Sequence, residues 1–296
     1  MKKVFICGGA SYNSVITLDQ FPNPVAQTIQ QCHFNETIGN TGAGKALNLS
    51  QLDFEIIFHT LIGKDTFGEK VLSYLDHPNI NVIADIDPNG TERHVNILNS
   101  KGERISIFVN PNSKEINIDY SKIEKHIATS DITVINISDY CRNIIPICKK
   151  LKKEIWTDLH DYNGENPYHQ DFIDAADNIF LSSEKFEGYR TFMEKLIESG
   201  KKLVVCTHGK EGATALSYKE GWIEVNAIDN FKMVNTNGAG DAFFSGFLYG
   251  YSKGFNTLNC MRIATIVAGL CVESLEISNK KLNINLVEQL FNTFYK

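Results

Sequence analysis

The sequence predicts an α/β fold, a doubly wound and mostly parallel sheet flanked by helices. Three observations predict it. Short β-branched segments alternate with helix-like segments along most of the chain. Two stretches, 14–34 and 85–110, break that rhythm and read as strands of a small β-sheet lid. The 296 residues, 43% of them hydrophobic and 22% charged, suffice to bury one large core.

Residues 4–7 read as a buried strand ending in a turn at Gly8 and Gly9. Residues 41–53 place Ala43, Ala46, Leu47, Leu49 and Leu52 at mostly helical spacing, and the β-branched and aromatic run 55–62 is a strand. A helix follows at 67–75. The rhythm resumes with a strand at 132–137, a helix reaching Lys150, and strands at 154–159, 178–181, 203–207 and 214–218. One domain over 1–296 is expected. The two interrupting stretches carry turn residues: Pro22 and Pro24 in the first, Asn89-Gly90 and Lys101-Gly102 in the second. They form either a lid standing off the main sheet, the preferred reading, or a hairpin decorating its edge.

Lys plus Arg is 29 against 35 for Asp plus Glu, a formal net charge of -6, and no basic run stands out. Nucleic-acid and anionic-membrane partners are therefore not expected. The seven cysteines are odd in number and include no C-x-x-C pair. Cys7, Cys206, Cys260 and Cys271 sit in apolar or small-residue runs, as buried thiols of a reducing compartment do. The opening MKKVFICGG is too short for a signal-peptide core, and no apolar run reaches the length of a membrane helix. The expected location is the cytoplasm.

The chemistry is concentrated in residues 234–250, VNTNGAGDAFFSGFLYG. Asn237, Gly238, Ala239 and Gly240 are small or turn-forming, and after Asp241 the chain turns strongly apolar. That pattern is a glycine loop opening into a buried helix, with Ser245 and Gly246 permitting close packing. Free N–H groups at a helix start face an anion, helped by the helix dipole. Phosphoryl transfer concentrates negative charge that such donors stabilise. A carboxylate at the same place can accept the proton of an attacking hydroxyl. Taken alone, G-A-G-D is equally compatible with a flexible helix entry in which Asp241 is a cap.

The fourteen residues NTNGAGDAFFSGFL resemble the C-terminal signature of the ribokinase-like carbohydrate kinases, the PfkB family. Phe21-Pro22-Asn23-Pro24 looks like the proline turn of that family's first lid strands. Residues 39–46, GNTGAGKA, resemble its glycine-rich substrate loop, 62–68 the segment after the next strand, and 207–212 the nucleotide-binding turn. The resemblance covers nearly the whole chain. It implies a ribokinase-like fold and an ATP-dependent kinase with Asp241 as base and Gly238, Ala239 and Gly240 as anion hole. It implies Asn13, Gly39, Asn40, Thr41 and Gly44 at the acceptor, and Thr207, Gly209, Gly212 and Asn237 at the nucleotide. It also implies Mg²⁺ on the ATP phosphates, Glu184 acting on the metal through water, and a homodimer paired through lid strands.

Four departures stand out. Asn13 falls where members often carry an Asp, which puts a donor where a charged acceptor is usual. In the substrate loop Asn40 replaces a Gly and Gly44 an Asn. Lys45, next to it, either meets an anionic group of the substrate or, as preferred, points to solvent. Asn235 falls where many members hold a monovalent cation with an Asp, so potassium activation is in doubt. The N-x-x-E element is absent, since Leu181 stands three residues before Glu184. Asp158, His160 and Asp161 suggest either a metal site or, as preferred, polar residues gathered at a strand end facing the crevice. His94 and Arg93 are either substrate contacts or exposed.

The leading expectation is a kinase for a hydroxyl of a small sugar or sugar-like acceptor. A nucleoside kinase, with Tyr12, Phe34 and Phe108 lining a base pocket, and a non-catalytic sugar or nucleotide sensor are the alternatives.

Overall fold

The computed structural model describes residues 1–113 and 116–296. The first part of the chain forms strands β1 (Lys3–Cys7), β2 (Ser11–Thr17) and β3 (His33–Gly39), helix α1 (Thr41–Gln51), strand β4 (Glu55–Ile62) and helix α2 (Thr66–Tyr74). Strands β5 (Ile80–Ile86), β6 (Arg93–Leu98) and β7 (Arg104–Asn110) follow, then α3 (Tyr120–Thr129), β8 (Ile132–Ile135), α4 (Ile145–Lys150) and β9 (Ile155–Asp158). The remainder forms α5 (Gln170–Ala175), β10 (Asn178–Ser182), α6 (Tyr189–Glu198), β11 (Leu203–Thr207), β12 (Ala213–Ser217) and β13 (Gly221–Val225), and ends in α7 (Ala239–Ser252), α8 (Thr257–Val272) and α9 (Ile284–Tyr295).

The large sheet has the order β13-β12-β11-β10-β9-β8-β1-β4-β5. Every neighbouring pair from β11 to β5 is parallel, and the β11-β12-β13 edge is antiparallel. Its central strands are buried on both faces, so every residue of β8 and β9 is buried and burial does not alternate. Successive residues of β1 feed opposite cores: Val4 and Ile6 join the α1, α7 and α8 side, Phe5 and Cys7 the α3 to α6 side. That division is the doubly wound arrangement predicted from the strand–helix rhythm.

A separate sheet has the order β3-β2-β6-β7. Its strands differ in place from the two predicted stretches. The first pair starts at Ser11 and runs on to Gly39, while residues 18–32, with Pro22 and Pro24, form neither strand nor helix. In the second stretch, residues up to Ile86 pair with β4 in the large sheet, so the small sheet begins only at Arg93. The Asn89-Gly90 and Lys101-Gly102 turns are as read, with both glycines at positive φ, 94° and 79°.

Two further differences are local. The helix expected to reach Lys150 is split, with a 3₁₀ turn over Asp139–Ile144 ahead of α4. Pro146 has no N–H to donate back into a continuous helix. Strand β8 ends at Ile135, and both the backbone and the side-chain N–H of Asn136 donate to the Cys7 carbonyl, at 2.9 and 3.0 Å. Helix α7 packs on α8 at Gly246, where an added Cβ would stand 2.8 Å from the Ala264 Cα. Among the described residues no helix is long and apolar enough to cross a membrane. The C-terminal ends of β1, β8 and β9 and the first turns of α1 and α7 converge on one crevice, the usual ligand position in an open parallel sheet.

Candidate active site

Asp241 lies in the first turn of α7 and is buried. The turn before it depends on Gly238, which is left-handed at φ 85°, and a Cβ there would come within 2.8 Å of the Ile277 backbone. The first N–H groups of a helix have no partner within it. The Ala239 N–H donates to the Thr236 carbonyl at 3.2 Å. Among the described residues the N–H groups of Gly240 and Asp241 meet no protein acceptor, and open space surrounds Gly240. These two amides are what the loop offers an anion.

Lys45 corrects the reading that pointed it to solvent. It is fully buried, and its Nζ donates to Asp241 Oδ1 at 2.5 Å and to Asp158 Oδ2 at 3.1 Å. The ammonium also lies 5.0 Å from the Phe244 ring centre. His160 Nδ1 stands 3.5 Å from Asp158 Oδ2. The cluster is Asp158, His160 and Asp241, whose ligand atoms lie within 4.8 Å of one another. Asp161, the third residue of the sequence reading, instead pairs with the exposed Lys185. An ammonium already bridges the two carboxylates, so the donor set suits a lysine better than a metal ion.

Burial pushes the Asp241 carboxyl above its ordinary range, and the Lys45 and His160 charges only partly offset that. For Asp158 burial acts in the same direction, but the His160 and Lys45 charges outweigh it and hold the carboxyl down at about 2. Burial lowers Lys45, yet the charges of Asp241 and Asp158 raise it above its usual value. Two carboxylates of one cluster are thus pushed apart, the pattern of divided acid–base roles.

The substrate-loop residues gather beside this cluster. Asn40 caps α1 by accepting the Thr41 N–H at 2.7 Å, and the Thr41 hydroxyl donates to Asn136 Oδ1 at 3.1 Å. Asn13 on β2 accepts the His94 N–H at 3.2 Å. His94 is buried and bonded to Glu92 at 2.7 Å, and Asn112 donates to the other Glu92 oxygen at 2.7 Å. Among the described residues the Ser11 hydroxyl and Asn112 Oδ1 are buried with no hydrogen-bond partner, which leaves them free to bond a polar ligand. Arg93 stacks on Phe67, 3.8 Å from the ring centre. The three aromatic residues named for a base pocket do not converge: Tyr12 packs on Phe67 and Tyr74, whereas Phe34 and Phe108 are exposed.

Thr207 ends β11, and the turn after it holds Gly209 and Gly212 at positive φ, 56° and 103°. His208 bridges Ser183 at 2.8 Å and Thr214 at 2.9 Å. A cleft of about 260 Å³ opens beside them, lined by Ser183, Tyr189, His208, Glu224 and Asn226. A second cleft of about 350 Å³, among Met1, Asp53 and Lys253, lies at the opposite ends of the strands from Asp241. Glu184 is exposed. Asn235 donates to the Leu275 carbonyl at 3.1 Å and accepts the Asn237 N–H at 2.9 Å, so both ends of its amide are engaged within the protein. The small sheet reaches this loop: Arg104 donates to Asn237 Oδ1, and the Thr236 hydroxyl donates to the Gly102 carbonyl at 3.1 Å.

Sequence reasoning placed Asp158 at the crevice and Lys45 beside the loop but missed their pairing with Asp241, and it missed the contributions of Glu92, Asn112, Asn136 and Arg104. Only Lys45 left a usable signal, since it stands one turn from both Thr41 and Asn48, polar positions on the same helix face.

The family description "pfkB family carbohydrate kinase" matches residues 1–283. Acarbose 7(IV)-phosphotransferase of Actinoplanes sp. is 27% identical over 269 residues, which span 89% of each chain. Among solved structures, a microbiome-derived acarbose kinase superposes with a TM-score of 0.87 at 23% identity, over 98% of this chain and 99% of that one. Arabidopsis thaliana ribokinase, complexed with ribose and ATP, superposes with a TM-score of 0.79 at 20% identity over 98% of each chain. The two superpositions show the ribokinase-like fold.

Proposed function

The chain belongs to the pfkB family of carbohydrate kinases and is a sugar kinase, and on that premise we propose that it transfers the γ-phosphoryl group of ATP to a hydroxyl of a small sugar or sugar-like acceptor, with Asp241 as general base. The observation that carries this reading is the pairing of the Asp241 carboxylate with the unpartnered N–H groups of Gly240 and Asp241 in one helix turn.

The acceptor binds among Asn13, Gly39, Asn40, Thr41 and Gly44, where Ser11 and Asn112 keep polar atoms without partners. ATP lies along the turn of Thr207, Gly209 and Gly212, with its phosphates toward Asn237, Gly238 and Gly240. Magnesium bound with the nucleotide would supply positive charge to those phosphates. Glu184, which is exposed, would hold a water of that ion. The acceptor hydroxyl gives its proton to Asp241, its oxygen forms the new bond to the γ-phosphorus, and the bond to ADP breaks in line. The small sheet acts as a lid that keeps water out. Its edge strand β7 is bare on both faces, exposing Ile105, Ile107, Phe108 and Val109 in near succession, and pairs with a second copy of the chain.

ADP release is measured for wild type and Asp241→Asn against a panel containing ribose, fructose, acarbose, 5-dehydro-2-deoxygluconate and nucleosides. A sugar acceptor is expected to support turnover that the variant loses. Equal rates in the two proteins would remove the base assignment, and turnover confined to nucleosides would replace the acceptor class.

A further inference from the structure

A lysine with no solvent contact, held between two carboxylates, is expensive to bury unless its charge has a task. Lys45 Nζ binds only one oxygen of Asp241, Oδ1. The other, Oδ2, faces Gly44 and carries no hydrogen bond among the described residues. Asp158 holds the lysine from the opposite side and is itself fixed by accepting the His160 N–H at 3.0 Å. This is the geometry of a carboxylate oriented through one oxygen and left open at the other.

We propose that Lys45 is a positioning residue for the Asp241 base: it pins Oδ1, presents Oδ2 to the acceptor hydroxyl, and supplies the positive charge that keeps the buried carboxylate ionised, while Asp158 anchors the lysine. The inference rests on the kinase reading for its purpose but not for its electrostatics. The charged and titratable groups facing Asp241 are Lys45 from α1, Asp158 and His160 from β9 and the turn after it, and Cys271 from α8. Burial pushes the Cys271 thiol up to about 12, so it brings no charge. Burial drives Asp241 toward its neutral form, which cannot accept a proton, and Lys45 is the first of the opposing influences. A lysine at this place therefore sets the pH at which the base begins to work.

The two partners of Lys45 give the test its power, because they act on Asp241 with opposite sign. Removing the lysine charge raises the Asp241 carboxyl, and removing the Asp158 charge lowers it. A purely structural role moves neither in a charge-dependent direction. Protein carrying carbon-13 at the Asp carboxyls is titrated by NMR without nucleotide or acceptor, with Asp241→Asn assigning the signal. Lys45→Met is expected to raise the Asp241 midpoint by at least about one pH unit, a tenfold change in ionisation. Lys45→Arg is expected to keep it near wild type, and Asp158→Asn to lower it.

With an acceptor in hand, the acid limb of kcat/KM shifts upward by the same amount in Lys45→Met, and higher pH recovers turnover without a change in KM for ATP. An unmoved midpoint in Lys45→Met, or a rise in Asp158→Asn, overturns the proposal. If Lys45→Met does not fold, the sign of the shift in Asp158→Asn decides. If no acceptor is ever turned over, the kinase reading fails while the titration still judges Lys45.

Discussion

Gly44 and Asp241 are in contact across two helices, and a methyl group at position 44 would stand 2.7 Å from Asp241 Oδ2 and 3.1 Å from its Cγ. The glycine that departs from the family pattern is therefore the space in which the carboxylate sits. Lys45, the next residue, occupies the other side of the same carboxylate. The two departures form a single arrangement: a larger side chain at 44 would collide with the carboxylate that Lys45 holds.

Gly44→Ala tests this contact. Alanine favours a helix over glycine by about 1 kcal/mol, which works against the strain of displacing the carboxylate. Misplacing a reacting group by about 1 Å can cost on the order of 100-fold in rate. The expected outcome is a fall in kcat of about that size with little change in melting temperature. Wild-type kcat in the variant would show that Oδ2 is not the reacting atom.

Asp241→Asn separates activity from stability. General-base removal is expected to lower kcat by roughly 100- to 10,000-fold. Burial raises the Asp241 carboxyl in the folded state. A group with a raised folded value stabilises the fold below its unfolded value, and that contribution disappears as pH rises through the folded one. At neutral pH the ionised Asp241 therefore works against folding, and the neutral amide leaves Lys45 paired with Asp158 alone. Urea unfolding at pH 7 is expected to show the variant at least as stable as wild type. A large loss of stability would mean the Lys45–Asp241 pair is a net support of the fold.

Asp158 has the opposite sign. Its folded carboxyl lies at about 2, against an ordinary value of 3.8. Its contribution is fully present above about pH 4 and is lost as pH falls through 2. The drop from 3.8 to about 2 corresponds to roughly 2–3 kcal/mol. Denaturant unfolding followed from pH 5 to pH 2 is expected to show an acid-dependent loss that Asp158→Asn flattens. Parallel curves for the two proteins would assign the acid sensitivity elsewhere.

The sequence made the large sheet and the loop at Asp241 legible for physical reasons. Buried parallel strands such as β4 and β11 are short runs rich in β-branched and other apolar residues with sharp ends, and both match the ranges read from sequence. The glycine loop is legible because Gly238 needs a positive φ and Gly246 a bare helix face. Helix α8 was missed because it is apolar on nearly every face and lacks a periodic signal, whereas α9 carries an amphipathic pattern that went unread. The Lys45 cluster was missed for a different reason. Lysine alone is expected at the surface, and its partners Asp158 and Asp241 lie 113 and 196 residues away in sequence. Only the sheet order brings them together, and no local pattern records it.

Asn40→Gly bears on the remaining departure in the substrate loop. Asn40 adopts φ 75° and ψ 153°, a region that costs a side-chain-bearing residue about 1–3 kcal/mol. Its compensation is the cap to the Thr41 N–H at 2.7 Å, and exchanging an Asn cap for Gly costs only a few tenths of a kcal/mol. Glycine should therefore stabilise the protein, by about 2–4 °C in melting temperature for each kcal/mol of strain released. The Asn40 side chain lies over Gly9, so that a Cβ on that glycine would stand 2.6 Å from Asn40 Cγ. Its removal would enlarge the proposed acceptor site and take away an amide that can bond a hydroxyl. The variant is expected to melt higher and to bind its acceptor more weakly, read as a several-fold rise in acceptor KM with KM for ATP unchanged. A lower melting temperature would refute the strain argument, and an unchanged acceptor KM would leave the side chain outside the acceptor site.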